Sequence, residues 1–323
     1  MGGGEDELIA RHFAPLAGPE GLGLLDDAAL VALPPGHQLV VTADAVVAGV
    51  HFLPNDPASS IARKAVGVNL SDLAAKGADP IGCLLTLSLP QGCTDGWLSE
   101  FAEGLRLSLG EGGCVLLGGD TVSTPGPLTI GVTALGSVPT DRMVRRTGAS
   151  PGDHICVTGT IGDATLGLAL LTEPEPPWAR TLSGWEREFL VDRYRHPRPR
   201  TGFAAQLREF ATAAMDVSDG LTGDLAKLLR VGGRGGRIDP DAVPLSPAAR
   251  AAVAASPDLM ARLLGGGDDY EVLFTVLPER HEGLLDATRQ SGIMIATIGE
   301  VTDGAGLATR DGRSIRPMSY SHV

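Results

Sequence analysis

Apolar residues recur with two different periods along the chain, and the two periods alternate. Short aliphatic runs predict strands, whereas apolar residues repeated every three or four positions predict helices. In the first half the pattern predicts a strand at 37–45, a helix-rich segment at 59–77, a strand at 81–89, a helix at 95–109, a short strand at 114–117 and a long strand at 128–138. Such alternation is typical of helices packed on one or both faces of a sheet.

Gly and Pro interrupt this pattern at 145–153, before a new strand begins at His154. We therefore predict a domain boundary near residue 150, with one domain at 1–150 and a second at 151–323. The second domain is predicted to contain helices at 163–171 and 202–211, a strand and a helix within 214–229, a strand within 265–276, a helix near 278–290 and a strand at 293–301. The predicted fold class is α/β (α+β) with two domains.

The composition is that of an ordinary globular protein. The chain has 323 residues, of which 43% are hydrophobic, and this is enough for two buried cores. A net charge of −13 argues against a nucleic-acid partner, because phosphate backbones are bound by clustered Lys and Arg. The basic runs at 141–146, 193–200 and 232–237 are interpreted as solvated loops.

The chain shows neither a membrane-spanning pattern nor a secretory one. Its apolar stretches stop short of the ~20 residues of a spanning helix, and its acidic N-terminus lacks a cationic start followed by an apolar core. The four cysteines, Cys83, Cys93, Cys114 and Cys156, are isolated in apolar surroundings, as expected of reduced, buried thiols. We expect a cytoplasmic protein without a membrane partner.

Aspartates flank apolar segments at six places. A Ser-Asp pair occurs in two similar stretches, "GVNLSDLAAKGADP" at 67–80 and "AMDVSDGLTGDLAKLL" at 214–229, and we interpret both as junctions between a strand and a helix. The other places hold Asp26 with Asp27, Asp44, Asp120, and Asp268 with Asp269. Each place alone is explained by capping or turn preferences. Their joint occurrence is what indicates a function.

Convergence of these acids would create a demand for cations. If the strand ends meet at the carboxyl edge of a sheet, two carboxylates ~4 Å apart repel by about 4 kcal/mol at an effective dielectric constant of ~20. Such a cluster takes up protons or binds divalent cations. A ligand set made of oxygen atoms favours Mg²⁺, with Mn²⁺ and Ca²⁺ as alternatives. Because protein-bound Mg²⁺ commonly also binds substrate phosphates, a nucleotide is the expected third component.

Eight sequence blocks, in their order and approximate spacing, resemble those of thiamine-monophosphate kinases, a family in the superfamily of aminoimidazole ribonucleotide synthetase. The blocks are "LDDAALV", "TADAVVAGVHF", "AVGVNLSDLAAKGADP", "LLGGDT", "RRTGASPGDHICVTGTIGD", "HPRPR", "MDVSDGL" and "GGGDDYEVLFTV". The resemblance extends from about residue 5 to residue 322. It implies ATP-dependent phosphorylation of thiamine phosphate to thiamine diphosphate, assisted by several Mg²⁺ ions.

The resemblance also implies an organisation and a set of site residues. The N-terminal domain would bind metal and ATP and pair its sheet with that of a second subunit in a homodimer, and the C-terminal domain would complete the active site. The implied metal ligands are Asp27, Thr42, Ala43, Asp44, Asp72, Asp120, Asp216 and Asp219. The implied nucleotide contacts are Gly119, Asp120, Arg146 and Ser218, those to thiamine phosphate are His51, Asp268 and Tyr320, and the implied catalytic residues are Asp120, Asp216 and Arg146.

The sequence departs from the family pattern at a few positions. Leu25 stands where Gly is usual, Ala43 where Thr is usual, and Asp268 where the longer Glu is usual. Ala43 therefore offers a metal ion only its backbone carbonyl. An aromatic residue often found near 110–113 is missing, because these positions read "GEGG", so adenine stacking is not expected there.

The physical and the family interpretations agree on a mechanism. The acceptor phosphate is largely ionised near neutrality, since its second pKa is about 6, so no general base is required. The obstacle is repulsion between two polyanions, which Mg²⁺ and the guanidinium of Arg146 would offset. The cationic thiazolium ring of the acceptor would find an opposite charge at Asp268 and an aromatic face at Tyr320.

Three other functions stay open from the sequence. A sister enzyme, such as selenophosphate synthetase or the hydrogenase-maturation dehydratase, would share the acids, although the former commonly uses a reactive Cys near the N-terminus and the first here is Cys83. A metal-dependent phosphohydrolase would release phosphate without an acceptor. A non-catalytic cation-binding protein would have no use for Arg146.

Two further motifs have structural interpretations. "GTIGD" at 159–163 resembles a phosphate-binding turn but lacks the Walker lysine, so a helix-packing turn is expected. "HPRPR" at 196–200 could bring Arg198 or Arg200 to a phosphate, but a rigid connector at a helix start is expected.

Overall fold

The computed structural model describes residues 5–289 and 292–320, with side chains from Glu7 onward. The chain forms two compact units. The first comprises the chain up to Leu73 together with Ala78–Asp141, and the second comprises Ala74–Gly77 and the chain from Arg142. The predicted boundary near residue 150 therefore lies inside the second unit.

The first unit is built around a four-stranded sheet. Its elements are α1 (Glu5–Leu8), β1 (His37–Val47), α2 (Ala58–Ala75, whose last two residues belong to the second unit), β2 (Asp79–Pro90), α3 (Asp95–Gly112), β3 (Val115–Thr124) and β4 (Thr129–Pro139). The strand order is β1-β4-β2-β3. Strands β2 and β3 are parallel, whereas β4 is antiparallel to both of its neighbours.

One face of this sheet is buried, and the other exposes aliphatic side chains. Leu85 of β2 lies opposite Val132 of β4, and both are buried. Between these buried positions the side chains point the other way: Leu84 is 39% exposed and Val41 of β1 is 55% exposed. The strand register places these two on the same face. Alternation with a period of two is what a sheet with one packed face requires.

Helix α3 begins at the predicted residue, Asp95, and extends three residues past the predicted end at Leu109. Thr94 caps the first turn, because its hydroxyl oxygen accepts the backbone N–H of Trp97 at 3.1 Å. The helix ends at Gly113, which adopts a left-handed conformation with φ of 67°. Phe101 and Leu105 are fully buried on its inner side, so the helix is held by its apolar stripe.

The second unit contains a seven-stranded sheet. Its helices are α4 (Asp163–Thr172), α5 (Gly184–Arg195), α6 (Ala204–Phe210), α7 (Leu221–Val231), α8 (Pro247–Ala255), α9 (Leu259–Gly265) and α10 (Pro278–Thr288). Its strands are β5 (His154–Thr158), β6 (Ala211–Asp216), β7 (Gly235–Ile238), β8 (Val272–Val276), β9 (Ile295–Thr302), β10 (Gly306–Thr309) and β11 (Ser314–Ile315). The strand order is β11-β10-β7-β9-β5-β8-β6.

Both faces of the middle of this sheet are covered. Val157 of β5 packs in one core cluster with Leu225 of α7, whereas the preceding Cys156 packs in a second cluster with Phe203 and Phe274. Successive residues of one strand point to opposite faces, so both faces must be apolar. This explains why β5 and β8 carry successive apolar residues, Ile155–Val157 and Val272–Phe274, rather than an alternating pattern.

The α/β (α+β) class and most predicted elements are confirmed, but three local predictions were wrong. The run 232–237, predicted as a solvated loop, contributes β7, where Gly236 leaves room for Leu229 of α7: a Cβ at Gly236 would lie 2.8 Å from the Leu229 Cδ1 atom. In the run 193–200, Arg193 is buried. Ser71 and Asp72 do not mark a strand-to-helix junction, because both lie near the end of α2.

Among the described residues, none of the helices combines the length and the apolar character needed to cross a membrane. The four cysteines are free thiols, and Cys83, Cys114 and Cys156 are buried while Cys93 is half-buried. Burial raises the pKa of Cys114 to about 11 and that of Cys156 to about 12. These buried thiols therefore stay protonated near neutrality.

Candidate active site

In the first unit, side chains near the end of α2 hold β1 in place. The Thr42 hydroxyl donates to Asp72 Oδ2 at 2.5 Å, and the Asp44 N–H donates to Asn69 Oδ1 at 3.0 Å. Asn69 in turn donates to the Ala65 carbonyl at 3.0 Å. Two separate sets of hydrogen bonds therefore tie three of the predicted metal ligands to the contact between β1 and α2. Asn69 was not predicted, although it lies three residues before Asp72, a spacing that places both on one helix face.

Gly119 and Asp120 lie on β3, at the other edge of this sheet. A Cβ at Gly119 would lie 1.8 Å from the Leu85 carbonyl oxygen of β2, so only glycine fits there. Asp120 follows it, is exposed and pairs with Thr86. Strands β1 and β3 are three inter-strand spacings apart, or about 14 Å at ~4.8 Å each. Asp44 and Asp120 are therefore too far apart in this sheet to share one ion.

Asp27 and His51 flank β1 on its two sides in the sequence. Asp27 is exposed in the segment before β1, where Leu25 is 92% exposed. His51 is half-buried in the turn after β1, and its Nδ1 accepts the Val47 N–H at 3.0 Å. The neutral imidazole therefore carries its proton on Nε2.

In the second unit, the turn between β6 and α7 carries three of the predicted site residues. Strand β6 ends at Asp216, which is 5% exposed, and Ser218 and Asp219 follow before α7 begins. Gly220 closes the turn with φ of 131°, and a Cβ there would lie 2.6 Å from the Gly265 carbonyl oxygen. This junction between a strand and a helix confirms the second of the two predicted Ser-Asp junctions.

The buried carboxylate of Asp224 stabilises the backbone of this turn. Asp224 Oδ2 accepts the backbone N–H groups of Ser218, Asp219 and Gly220 at 3.1, 2.9 and 3.1 Å. Burial raises the pKa of Asp224, while these bonds and Lys227 favour its charged form. The sequence signal was an acid within the first turn of α7, a favoured place for negative charge, but Asp224 was not predicted as a site residue.

The Gly-Gly-Gly-Asp-Asp-Tyr-Glu loop before β8 lies directly on this turn. The Asp268 N–H donates to the Ser218 carbonyl at 2.8 Å, and the Tyr270 N–H donates to the Val217 carbonyl at 2.8 Å. Both Asp268 and Tyr270 have positive φ, of 69° and 52°, which is uncommon for residues with side chains. The Tyr270 hydroxyl donates to Asp268 Oδ1 at 3.0 Å and so fixes the Asp268 carboxylate.

The C-terminal segment reaches the same turn. The Tyr320 N–H donates to the Asp219 carbonyl at 2.9 Å, and the Tyr320 side chain is 53% exposed. Just before it, the Met318 N–H donates to the Thr222 hydroxyl on α7 at 3.1 Å. The second unit therefore brings together four predicted site residues from three distant parts of the sequence: Ser218, Asp219, Asp268 and Tyr320.

Arg146 lies in a segment that runs beside β6. The Ala214 N–H donates to the Arg145 carbonyl at 3.0 Å, and a Cβ at Gly148 would lie 1.7 Å from the Thr212 carbonyl oxygen. The Arg146 side chain is exposed. It therefore extends into solvent beside the strand that ends at Asp216.

The "HPRPR" and "GTIGD" motifs both make contacts that hold neighbouring segments together. Glu271, fully buried, binds Arg193 at 3.0 Å and Arg200 through two bonds of 2.6 and 2.5 Å, so the connector holds the base of the loop. Arg198 pairs with Asp192 at 2.7 Å. In "GTIGD", the Gly162 N–H donates to both carboxylate oxygens of Asp269 at 2.9 Å. Burial raises the pKa of Asp269 well above its usual value.

The predicted metal ligands are of the chemical type that Mg²⁺ prefers, but they lie in several separate segments of the chain. Within the described part of the chain, no group of three or more His, Cys, Asp and Glu side chains is placed to hold a metal ion. The predicted ligands offer carboxylate, hydroxyl and carbonyl oxygens, the donors that Mg²⁺ prefers. The carboxylate of Asp219 is already paired with the ammonium of Lys227. The assignment of individual metal ligands stays a prediction.

Comparison with known proteins shows that nearly all of the chain is similar to one protein family. Residues 25–138 match the model for the AIR synthase related protein N-terminal domain, and residues 150–312 match that for the C-terminal domain. The thiamine-monophosphate kinase of Caulobacter vibrioides is 40% identical over 319 residues, which cover 97% of this chain and 88% of that protein.

Solved structures of similar proteins agree with this placement. The crystal structure of thiamine-monophosphate kinase from Stenotrophomonas maltophilia K279a superposes with a TM-score of 0.83 at 38% identity, covering 90% of this chain and 91% of that one. AaThiL complexed with AMPPCP and TMP superposes with a TM-score of 0.78 at 30% identity, covering 92% and 91%. The chain belongs to the thiamine-monophosphate kinase family of AIR synthase related proteins.

Proposed function

We propose that the protein transfers the γ-phosphoryl group of ATP to thiamine phosphate, forming thiamine diphosphate and ADP. The observation that carries this proposal is the convergence of Ser218 and Asp219 with Asp268 and Tyr320 through backbone hydrogen bonds of 2.8 and 2.9 Å. It puts candidate nucleotide and metal contacts beside candidate acceptor contacts. The complex of AaThiL with AMPPCP, an ATP analogue, and TMP is the support from a relative.

The chemistry requires little of the protein beyond binding and charge compensation. An oxygen of the acceptor phosphate attacks the γ-phosphorus in line, and the bond to the oxygen bridging the β- and γ-phosphates breaks, so that ADP leaves. The attacking oxygen carries no proton near neutrality, because the second pKa of a phosphate monoester is about 6. No general base is needed, and none is assigned.

The side chains of the second unit have distinct roles in this proposal. Arg146, exposed beside β6, donates to the nucleotide phosphates. The Asp268 carboxylate, fixed by the Tyr270 hydroxyl, faces the cationic thiazolium ring, and the half-exposed ring of Tyr320 covers it. In the first unit, His51 presents the Nε2 proton as a donor, because its Nδ1 accepts from Val47.

Mg²⁺ is the proposed metal ion, and its role is to neutralise the charge of the two substrates. The residues that would hold several such ions are the oxygen donors Asp27, Thr42, Ala43, Asp44, Asp72 and Asp120 of the first unit and Asp216 and Asp219 of the second. Neighbouring side chains hold the backbone of some of these residues: Asn69 accepts the N–H of Asp44, and Asp224 accepts the N–H of Asp219.

We also propose that the protein is a cytoplasmic homodimer without a nucleic-acid or membrane partner. The face of the first unit's sheet that carries Val41 and Leu84 exposes aliphatic side chains, including that of Leu39, and exposed aliphatic surface of this kind marks an interaction site. A second copy of the same sheet would cover it by a two-fold axis. The net charge of −13 opposes binding to nucleic acid.

The proposed activity is tested by comparing acceptors. Purified protein with MgATP should form ADP in the presence of thiamine phosphate but not in the presence of free thiamine, because only the former offers an ionised phosphate oxygen. Equal ADP formation with both acceptors, or with neither, would refute the proposal. ADP and inorganic phosphate formed without any acceptor would instead identify a phosphohydrolase.

A further inference from the structure

Lys227 lies on α7, one turn after Asp224, and reaches back to the turn that precedes the helix. Its ammonium is 3.0 Å from Asp224 Oδ1 and also forms an ion pair with Asp219 Oδ2. The Asp224 side chain is fully buried, whereas the side chains of Lys227 and Asp219 are each about one-third exposed. Lys227 therefore connects a buried carboxylate to one that reaches the surface.

The two carboxylates differ in how firmly they are held. Asp224 Oδ2 accepts three backbone N–H groups, so this side chain cannot turn away without leaving three donors unpaired. The Asp219 side chain lies in the turn itself, and the solvent reaches it. If Asp219 exchanges its partner, Lys227 keeps a counter-ion in Asp224.

We propose that Lys227 is a positioning residue that neutralises Asp219 before a divalent cation binds and then competes with that cation for its carboxylate. This inference rests on the proposed function, in which Asp219 is a metal ligand. A cation that approaches Asp219 repels the ammonium, which moves away from Asp219 but stays bound to Asp224. A cation that binds Asp219 must break the Lys227–Asp219 ion pair, and the free energy that this costs lowers the affinity of the site for cations when no nucleotide is bound. Contacts between the cation and the nucleotide phosphates offset this cost.

The competition is measured through nucleotide binding rather than through turnover. The quantity is the free Mn²⁺ concentration that gives half-maximal binding of a fluorescent ATP analogue to the intact protein at constant ionic strength. Lys227→Met should lower it by about three- to fivefold, the size expected for a partly exposed ion pair. Lys227→Gln should shift it in the same direction, and Lys227→Arg should keep it within about twofold because the charge is retained.

Two controls separate a local ion pair from general electrostatics. Arg230→Met removes one positive charge from the exposed end of the same helix and should leave the Mn²⁺ requirement unchanged. In an Asp219→Asn background the Lys227→Met substitution should have no further effect, since the pair is already broken. An unchanged or raised Mn²⁺ requirement in Lys227→Met, or an equal decrease in Arg230→Met, would overturn the proposal.

The outcomes also distinguish this inference from the proposed function. Protein that forms thiamine diphosphate but whose Mn²⁺ requirement is the same with and without Lys227 would overturn only the role of Lys227. Protein that is inactive toward thiamine phosphate but shows the predicted decrease would overturn the proposed acceptor and support the role of Lys227. Absence of Mn²⁺-dependent nucleotide binding in the unsubstituted protein would overturn both.

Discussion

The backbone N–H of Tyr320 donates to the carbonyl oxygen of Asp219 at 2.9 Å. This single bond ties the C-terminal segment to the turn between β6 and α7. It brings the backbone of Tyr320, whose side chain is 53% exposed, to the residue whose carboxylate we propose as a metal ligand. The position of Tyr320 therefore depends on the same turn as the proposed nucleotide contact Ser218.

Removing the aromatic ring of Tyr320 should weaken acceptor binding. In Tyr320→Leu the KM for thiamine phosphate should rise by about two- to thirtyfold, which corresponds to the ~0.5–2 kcal/mol of a cation–π contact. Tyr320→Phe should stay near the original value, because the ring rather than the hydroxyl makes the contact. Steady-state kinetics at saturating MgATP measures both, and equal KM values for the Leu and Phe variants would contradict the assignment.

Replacing either of two proposed metal ligands should reduce turnover without unfolding the protein. Asp120→Asn and Asp216→Asn should each lower kcat by at least about tenfold, because a neutral amide binds Mg²⁺ less well and offsets less charge. The far-ultraviolet circular dichroism spectrum should be unchanged. Asp286→Asn is the matched control, since Asp286 is exposed on α10 and pairs with Arg289; its kcat should be unaltered.

The buried Asp269 predicts an inverse dependence of stability on pH. Burial raises its pKa in the folded state, so the folded protein binds more protons than the unfolded one above about pH 4, the ordinary pKa of Asp. The free energy of unfolding should therefore fall as pH rises through this window. Asp269→Asn keeps an oxygen acceptor for the Gly162 N–H and removes the titration.

The measurement compares urea unfolding of the two proteins at several pH values above about 4. The difference in unfolding free energy, Asp269→Asn minus the unsubstituted protein, should increase with pH. Parallel profiles would show that Asp269 ionises in the folded protein as easily as in the unfolded chain.

A charge placed on the exposed face of the first unit's sheet should prevent dimer formation. Leu84 is 39% exposed in the single chain and would be covered in the proposed dimer, so Leu84→Glu would bury an unpaired carboxylate. Light scattering after size-exclusion chromatography should then give the mass of one chain. Leu25→Glu, at a residue 92% exposed before β1, is the control and should remain a dimer. A monomeric unsubstituted protein would contradict the proposal.

The elements that could be predicted from the sequence are those whose own residues show a periodic or continuous apolar pattern. Strand β2 alternates buried and exposed residues, and β5 and β8 are apolar on both faces, so each has a recognisable period. Strand β7 does not, because its Gly residues leave space for α7 instead of providing apolar side chains. Its strand character arises from pairing with β9 and β10.

Site residues, too, could be predicted only where the signal lies in the local sequence. Acids beside apolar runs pointed to the correct segments, and the Ser-Asp junction at 218–219 is as predicted. The partners that hold these segments are distant in sequence: Arg200 and Glu271 are 71 positions apart. Asp224 was closer, but its role depends on three backbone N–H groups whose orientation exists only in the folded turn.

We propose above all that a single site transfers a phosphoryl group between two bound phosphate compounds. It is tested most directly by following ATP, thiamine phosphate and their products together with ³¹P nuclear magnetic resonance in the presence of Mg²⁺. We predict that one ADP appears for each thiamine diphosphate and that no inorganic phosphate accumulates. Accumulation of inorganic phosphate at the rate of ADP formation, with thiamine phosphate unchanged, would contradict the account.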